Sequence, residues 1–253
     1  MDYNIQEDFM DWGVYMLDFA SLSVPAKDSI NYDSMGILEE SYCTCFSITD
    51  GKRIPGASEL VIKTVLEDIK QQSDITTSTL PKIFRHTNDV LSDFQKQDAS
   101  PGGVSSAIMI TDGEIAIWAH IGDCRIYHLQ DNLLYEISPD HSDSYTRYEA
   151  GDIRFPSIRT DKLRYNLTHL MGLEQNFQPT FSKPTMVRKN DCFLICTDGF
   201  WENIHELQIE KSLKKSKTAQ DWLLRMQKIV EKNIKNKKYT NFQDDYSAIT
   251  IKI

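Results

Sequence analysis

The sequence predicts an α+β fold in which antiparallel β-sheets are covered by helices. Strand-like segments come in groups and do not alternate one by one with helices, which argues against a doubly wound parallel sheet. The apolar segments AIMIT and EIAIW are separated by Asp112-Gly113, a dipeptide typical of a β-hairpin. A long amphipathic helix is followed by one more apolar strand, YSAITIKI.

Periodicity predicts the individual elements. Strands, rich in apolar, aromatic and hydroxyl residues, are expected at 13–21, 42–49, 104–111, 114–121, 124–130, 132–138, 185–189, 192–197 and 246–253. Helices, with apolar residues at three- and four-residue spacing, are expected at 57–72, 80–94 and 218–235. Residues 142–170 are polar and have weak periodicity, so we expect an irregular stretch there.

Composition excludes several classes of function. The 253 residues carry a net charge of -9, which argues against nucleic-acid binding because that needs a basic surface. The sequence has no run of roughly 20 apolar residues and no signal-peptide pattern at MDYNIQEDFMDW. The five cysteines predict buried cytosolic thiols and no disulfide framework. We therefore expect a cytoplasmic protein that binds neither membranes nor nucleic acid.

The tripeptide Thr-Asp-Gly occurs three times, each time after an apolar run, and its aspartates are Asp50, Asp112 and Asp198. Asp112 lies between two strands, so a hairpin turn explains it without any chemistry. After Gly51 and Gly199 the chain leaves the strand and enters a helical segment. A strand-end turn or a helix N-cap would explain Asp50 or Asp198 taken singly.

Further aspartates lie at the edges of strands: Asp33, Asp123 and the pair Asp244-Asp245. Like charges gathered at strand edges are costly unless they are protonated or neutralised by cations. Carboxylates and water are the ligands of hard divalent cations, and two such ions can activate a water and bind a phosphoryl group. The sequence has no Gly-x-Ser-x-Gly motif and no ligand-spaced histidine pair that would indicate another hydrolytic mechanism.

Several short motifs follow one another in a set order. They are Asn31-Tyr32-Asp33, Asp50-Gly51 with Ala57 and Glu59, Gly103-Val104-Ser105-Ser106, Gly122-Asp123-Cys124-Arg125, Asp140-His141-Ser142, residues 164–172, DCFLICTDG (191–199) and DDYSAITI (244–251). In this order the chain resembles the metal-dependent protein phosphatases of the type 2C (PPM) family, and their bacterial members most closely. The resemblance covers nearly the whole chain.

The resemblance implies a four-layer αββα sandwich of two antiparallel sheets flanked by helices. Residues 1–253 would form a single domain with a mobile flap at about 142–170. The implied activity is that of a serine/threonine protein phosphatase with a binuclear Mg²⁺ or Mn²⁺ centre, where a metal-activated water attacks phosphoserine or phosphothreonine. The implied partners are phosphorylated proteins and a serine/threonine kinase that acts on them.

The same resemblance assigns a role to each site residue. Asp50 would bridge both metal ions, and the Gly51 carbonyl would bind one of them. Asp198 and Asp244 would hold the second ion, and Asp123 with Asp198 a weaker third ion. Asp33 would orient the metal-bound water, so Asp33, Asp50 and Asp198 are the expected catalytic residues. Asp244 is preferred to Asp245 because the strand YSAITI then begins in the family's register.

Two stretches depart from the family's pattern. Asp28 stands where many members have an arginine that grips the substrate phosphate, and Lys52-Arg53-Ile54 replaces a glycine-rich loop. A carboxylate cannot grip a phosphate, whereas arginine can do so with two parallel hydrogen bonds. We therefore hypothesise that Lys52 or Arg53 supplies the missing positive charge. The alternative is that both are solvent-facing cations beside an acidic site.

Three functions are compatible with these residues. The first is an active serine/threonine phosphatase, which the retained aspartates favour. The second is a phosphatase-fold pseudoenzyme that acts as a regulatory binding module, which the altered loop and the missing arginine favour. The third is a two-metal nuclease or other phosphoesterase. The net negative charge of the chain argues against a polynucleotide substrate. No coiled-coil heptads are present, so a monomer is expected.

Overall fold

A computed structural model describes residues 17–27, 29–51, 55–96, 102–240 and 243–253. The strands are β1 (Asp18–Val24), β2 (Asp33–Glu40), β3 (Cys43–Gly51), β4 (Val104–Thr111), β5 (Ile115–Ile121), β6 (Arg125–Gln130), β7 (Leu133–Ile137), β8 (Thr180–Phe181), β9 (Thr185–Met186), β10 (Cys192–Cys196) and β11 (Tyr246–Lys252). The α-helices are α1 (Ala57–Lys70), α2 (Thr79–Gln95), α3 (Asp143–Glu149), α4 (Asp198–Trp201), α5 (Glu206–Leu213) and α6 (Ala219–Lys235).

The strands form two antiparallel sheets. Sheet I has the order β1-β11-β10-β6-β7, and sheet II has the order β2-β3-β4-β5-β8, with β9 also paired to β5. Sheet I therefore places the first described strand beside the last, whereas the centre of sheet II is built from consecutive strands. The predicted α+β class with antiparallel sheets is confirmed.

Three apolar clusters separate four layers. Phe46 of β3 and Phe193 of β10 lie in a central cluster to which both sheets contribute. The opposite face of sheet I packs on α4, α5 and α6 through residues such as Leu194 and Trp222. The opposite face of sheet II packs on α1 and α2 through residues such as Ile108 and Phe84. Because successive side chains of a strand point to opposite faces, fully apolar strands bury both faces of each sheet, and the αββα sandwich is confirmed.

Two strands, β2 and β8, were not predicted from the sequence, and β2 is the longer of them. Asp33, which was expected at the edge of a strand, is the first residue of β2. This segment, DSMGILEE, contains a glycine and two glutamates, which are depleted in strands. The glycine has a packing reason, because a Cβ at Gly36 would lie 2.6 Å from Ile62 Cγ2 and 2.8 Å from Leu66 Cδ1 of α1. The missing side chain lets α1 approach the sheet.

Residues 142–170 are more regular than expected. They contain α3 and two 3₁₀ helices, Phe155–Thr160 and Lys162–Tyr165. Ile158 and Phe155 pack on the apolar cluster of sheet I. Ion pairs also hold the segment: Arg147 pairs with Asp161 at 2.5 Å, and the buried Arg159 donates to Glu206 of α5 at 2.7 and 2.9 Å. Ion pairs in place of an apolar stripe explain why periodicity did not reveal these helices. The mobility expected of this flap stays a prediction.

Membrane insertion finds no support in the helices. Among the residues that the structure describes, no helix combines the length and the apolar character needed to cross a bilayer.

A buried ion pair joins β6 to the turn after β7. Arg125 donates from Nε and Nη2 to the two carboxylate oxygens of Asp140, each at 2.6 Å. Its guanidinium also lies 3.5 Å from the centre of the Trp201 ring and donates to the Tyr127 hydroxyl at 3.1 Å. Both charged side chains are almost completely buried. The pair therefore matters chiefly because either charge alone would be strongly destabilising at this position.

We expect Asp140→Ala to lower the free energy of unfolding by about 3–5 kcal/mol, because it leaves the Arg125 charge buried without its carboxylate. Urea denaturation followed by circular dichroism measures this difference. The matched control is Asp93→Ala, which removes the carboxylate of the exposed Lys96–Asp93 pair and should cost less than about 1 kcal/mol. Equal losses in the two variants would contradict the prediction.

Candidate metal centre

Three strands of sheet II bring polar residues to one end of the sheet. Asp50 is the penultimate residue of β3, and the antiparallel register places it opposite Asp33 of β2 and Ser105 of β4. Ser105 donates through Oγ to Asp123 Oδ1 at 2.8 Å. Asp123 follows Gly122 at the end of β5, where a positive φ of 86° favours glycine. Three of the predicted site residues therefore lie at one end of sheet II.

Sheet I supplies the remaining predicted aspartates. β10 ends at Cys196, and Asp198 begins the short helix α4 two residues later. A Cβ at Gly199 would lie 2.0 Å from the Asp245 carbonyl oxygen and 3.3 Å from Asp244 Cβ. Only glycine allows this close approach. It places Asp198 next to the residues that precede β11, although they are far away in sequence.

A hydrogen bond between the sheets joins these two groups. Thr197 donates through Oγ1 to Asp33 Oδ2 at 2.8 Å and accepts from the Ser247 backbone N–H at 3.0 Å. The Trp201 indole N–H donates to the Asp123 carbonyl oxygen at 2.9 Å. Sheet I, sheet II and α4 therefore meet where the aspartates gather.

The electrostatics of Cys124 show the same convergence. This thiol is fully buried, and burial raises its pKa well above the ordinary value. The negative charges of Asp50, Asp123, Asp33 and Asp198 raise the pKa further. Four of the five predicted aspartates are thus close enough to act on one buried group.

The same crowding disfavours ionisation of two acids. Burial raises the pKa of Asp33 to about 8, hydrogen bonds from Ser247 and Thr197 oppose the rise, and the charge of Asp198 adds to it. Burial and the Asp198 charge also raise the pKa of Glu202 to about 8, although its pairing with Arg164 lowers it. Acidic groups therefore gather at this end of the sandwich, where burial and their mutual repulsion disfavour the charged form.

The adjacent Asp244 and Asp245 have different environments. Asp245 is buried, and its Oδ1 and Oδ2 accept the backbone N–H groups of Ala26 and Tyr32 at 2.6 and 2.7 Å. Asp244 is half-buried beside α4. Because both oxygens of Asp245 already anchor the segment before β2, its carboxylate has a structural role that explains it fully.

Gly51 lies where a side chain would not fit. A Cβ there would be 2.3 Å from Ser58 Oγ, and Ser58 in turn donates to the Tyr32 carbonyl oxygen at 2.6 Å. The Gly51 N–H donates to the same carbonyl at 3.2 Å. The first Asp-Gly is therefore packed tightly against α1. The hypothesised phosphate-binding residues Lys52 and Arg53, like Asp28, lie outside the described residues.

The donor set fits a hard divalent cation. The ligands predicted from the sequence are carboxylates and one backbone carbonyl, which suit Mg²⁺ or Mn²⁺ better than the softer metals. Within the described ranges, no three His, Cys, Asp or Glu side chains form a ready-made ligand cluster. Mg²⁺ is commonly held by one or two carboxylates together with water and substrate oxygens. Residues with this chemistry can therefore hold such an ion without a closed protein cage.

The middle Thr-Asp-Gly is a turn, as predicted. Asp112 Oδ1 accepts the backbone N–H groups of Glu114 and Ile115 at 2.8 and 2.7 Å, and Gly113 has a φ of 94°. Asp112 follows the end of β4 that lies away from Asp50. Since β4 has eight residues, at about 3.3 Å each, its ends lie roughly 23 Å apart. Asp112 is therefore remote from the other aspartates.

The cysteines form no cross-link, and two surface grooves do not coincide with the aspartates. All five cysteines are free and buried, so they form no disulfide. Two grooves, of about 590 and 640 Å³, are lined by other parts of the surface and include none of the five predicted aspartates. Because carboxylate oxygens are the ligands of hard divalent cations, the aspartates locate the candidate site better than cavity size does.

Sequence analysis missed several residues that support the aspartates. Thr197 and Ser105 hold Asp33 and Asp123 by hydrogen bonds. Arg164 donates to Glu202, one turn after Asp198, and thereby links the segment 142–170 to α4. Thr197 carried a signal, since it is the threonine of the third Thr-Asp-Gly. Ser105 and Arg164 also lie in sequence motifs, Gly103-Val104-Ser105-Ser106 and residues 164–172, although no hydrogen-bonding role was predicted for them.

Known proteins were compared with the chain by sequence and by fold. No family model matches the sequence. The serine/threonine phosphatase stp of Listeria monocytogenes is 23% identical over 174 residues, which cover 65% of this chain and 68% of that protein.

Solved structures match nearly the whole chain. The structure of the serine/threonine phosphatase Stp1 from Staphylococcus aureus has a TM-score of 0.82 at 19% identity and covers 94% of this chain and 95% of its own. The catalytic domain of the serine/threonine protein phosphatase PstP, in complex with two manganese ions, has a TM-score of 0.76 at 18% identity, with coverages of 93% and 97%. These comparisons confirm the resemblance found in the sequence: the chain has the fold of the PPM-type (type 2C) serine/threonine phosphatases, and bacterial members of that family are among its relatives.

Proposed function

We propose that this protein is a metal-dependent serine/threonine protein phosphatase. The observation that carries the proposal is the convergence of Asp33, Asp50, Asp123 and Asp198 at one end of the sandwich, with Asp244 beside α4. The names of the relatives, all serine/threonine phosphatases, support it. The partners we propose are phosphorylated proteins and the serine/threonine kinase that produces them.

The ligands would come from four segments of the chain. Asp50 would bridge two Mg²⁺ or Mn²⁺ ions, with the Gly51 carbonyl on one of them, while Asp198 and Asp244 would hold the second. Asp123 would share a weaker third ion with Asp198. The bound ions would supply charge stabilisation of the phosphoryl oxygens and a water of lowered pKa.

The protein's own groups would position these ligands. The hydrogen bond from Thr197 fixes one oxygen of Asp33, so the other can orient the attacking water. Ser105 holds Asp123 in the same way. Because Thr197 immediately precedes Asp198, a single backbone segment sets the positions of both a water-orienting acid and a ligand. Such fixed geometry is what a displacement at phosphorus requires.

We expect Asp50→Asn and Asp198→Asn to lower Mn²⁺-dependent hydrolysis of p-nitrophenyl phosphate and of a phosphothreonine peptide by about 10³-fold or more, since each removes a charged ligand. Asp112→Asn is the matched control, because it changes the same tripeptide in the remote hairpin, and it should retain nearly full activity. If the native protein showed no metal-dependent rate above that of Asp50→Asn, the regulatory binding module would be the correct function.

The pair Asp244 and Asp245 provides a second test. Asp244→Asn should weaken Mn²⁺ binding, measured by isothermal titration calorimetry, by about tenfold or more, because it removes a charged oxygen ligand. Asp245→Asn should instead destabilise the apoprotein by about 1–3 kcal/mol, because two partly buried backbone donors lose a charged acceptor. The opposite pattern would identify Asp245 as the ligand.

We further propose that Arg53, assisted by Lys52, binds the substrate phosphate in place of the family's arginine. Arg53→Ala should then raise the Michaelis constant for a phosphothreonine peptide about tenfold and change kcat little, since ground-state phosphate binding is lost. Arg85→Ala removes an exposed arginine of α2 and serves as the control. An unchanged Michaelis constant in Arg53→Ala would show that the two cations merely face solvent.

A further inference from the structure

A basic groove runs between α5 and α6 on the outside of sheet I. It has a volume of about 590 Å³. Lys211 and Lys215 line it from α5 and the turn that follows, and Arg225 and Lys228 line it from α6. All four side chains are exposed. The groove thus presents four cations on two elements that face each other.

The groove's own carboxylate does not balance these cations. Asp221 is the one acidic residue among the described residues that line it, and Asp221 Oδ1 already pairs with Arg225 Nε at 3.0 Å. From 206 to 235 the chain has eight basic and four acidic residues, a net charge of +4, whereas the whole chain has -9. A localised positive surface on an acidic protein attracts anionic partners and repels basic ones.

Apolar surface accompanies the charge. Leu224 is 44% exposed and Ile229 is half-buried, and both line the groove. The apolar face of α6 is buried in the apolar cluster of sheet I, where Trp222, Met226 and Val230 pack. Ile229 also contacts that cluster, whereas Leu224 and the four cations of the groove do not belong to it. Cations around an exposed leucine suit a peptide that carries both acidic and apolar side chains.

The groove is connected to the metal centre through the chain. α5 begins eight residues after Asp198, and Asn233 of α6 donates to the Asn203 carbonyl oxygen at 2.9 Å, close to the end of α4. The groove itself contains no residue of the candidate metal centre. A ligand bound there would leave the metal centre free for a phosphorylated side chain.

We propose that the α5–α6 groove binds an acidic segment of the protein substrate, at a distance from the phosphorylated residue. Naming the substrate as the occupant rests on the proposed phosphatase function. A polynucleotide fits less well, because it needs an extended basic surface. This chain has a net charge of -9, and the groove is a small basic region on it. The groove would raise the affinity for phosphoproteins that carry an acidic and apolar segment separated from the phosphorylated residue.

Binding can be measured without catalysis. The probe is a short fluorescein-labelled peptide of glutamates and leucines, titrated with metal-free protein and followed by fluorescence anisotropy. The double variant Lys211→Glu/Lys215→Glu should weaken binding by at least about tenfold, because it places like charges opposite the peptide. The control Lys232→Glu/Lys235→Glu makes the same charge change on exposed residues of α6 that do not line the groove, and it should weaken binding less than about threefold.

Kinetics link the groove to the substrate. In the native protein, an acidic extension on a phosphothreonine peptide should lower the Michaelis constant about tenfold, and Lys211→Glu/Lys215→Glu should abolish that advantage. Hydrolysis of p-nitrophenyl phosphate, which has no extension, should be the same in both proteins. If the native protein did not hydrolyse p-nitrophenyl phosphate, the proposed phosphatase function would be wrong. The anisotropy experiment tests peptide binding in the groove independently of that result.

Four results would overturn the proposal. The first is equal weakening in the groove variant and the control variant, which would show non-specific charge attraction. The second is unchanged peptide binding in the groove variant. The third is peptide binding that appears only after residues 1–16 are removed, which would make that acidic segment of the chain itself the occupant. The fourth is a dimer, seen by analytical ultracentrifugation, that the groove variant dissociates, which would make a second copy the occupant.

Discussion

The whole arrangement depends on holding several buried carboxylates close together at one end of a β-sandwich. Burial and mutual repulsion both oppose this, as the raised pKa of Asp33 shows. Hydrogen bonds hold the carboxylates in place despite this repulsion. The Thr197 hydroxyl donates to Asp33 across the two sheets, and the Ser105 hydroxyl donates to Asp123. The result is a cluster of buried carboxylates whose charge a divalent cation is suited to neutralise. The rest of the fold supplies the rigidity that this gathering requires.

Three identical tripeptides serve this fold in three different ways. The Thr111 hydroxyl donates to the Ile115 carbonyl oxygen and closes a hairpin, whereas the Thr197 hydroxyl reaches across to the other sheet. The Thr49 hydroxyl contacts the Ser34 carbonyl oxygen of the neighbouring strand at 3.3 Å. The letters are the same, but the neighbouring strands determine each role. Local sequence therefore predicts a strand end, and topology determines whether that end becomes part of a site.

Apolar patterning was sufficient to predict β4 to β6, α1, α2 and α6, because each buries apolar residues at regular spacing. The pattern failed where burial is polar. Gly36 and its glutamate neighbours concealed β2, and the ion pairs of Arg159 and Arg147 concealed the helices within 142–170. Nor could sequence distinguish Asp244 from Asp245, since the difference lies in backbone donors contributed by Ala26 and Tyr32. Buried charges that pair over long distances have no local period to detect.

The pairing of β1 with β11 has a consequence for how the protein is made. Tyr32 and Asp245 are 213 residues apart in sequence, yet their hydrogen bond anchors the segment that carries Asp33. β2 and β3 can pair early, because they are neighbours in the chain. Completion of the aspartate cluster must wait until the last strand has left the ribosome, and long-range pairing of this kind is slow. A nascent or truncated chain would therefore fold much of sheet II while lacking the metal centre, so catalytic competence would arrive late and all at once.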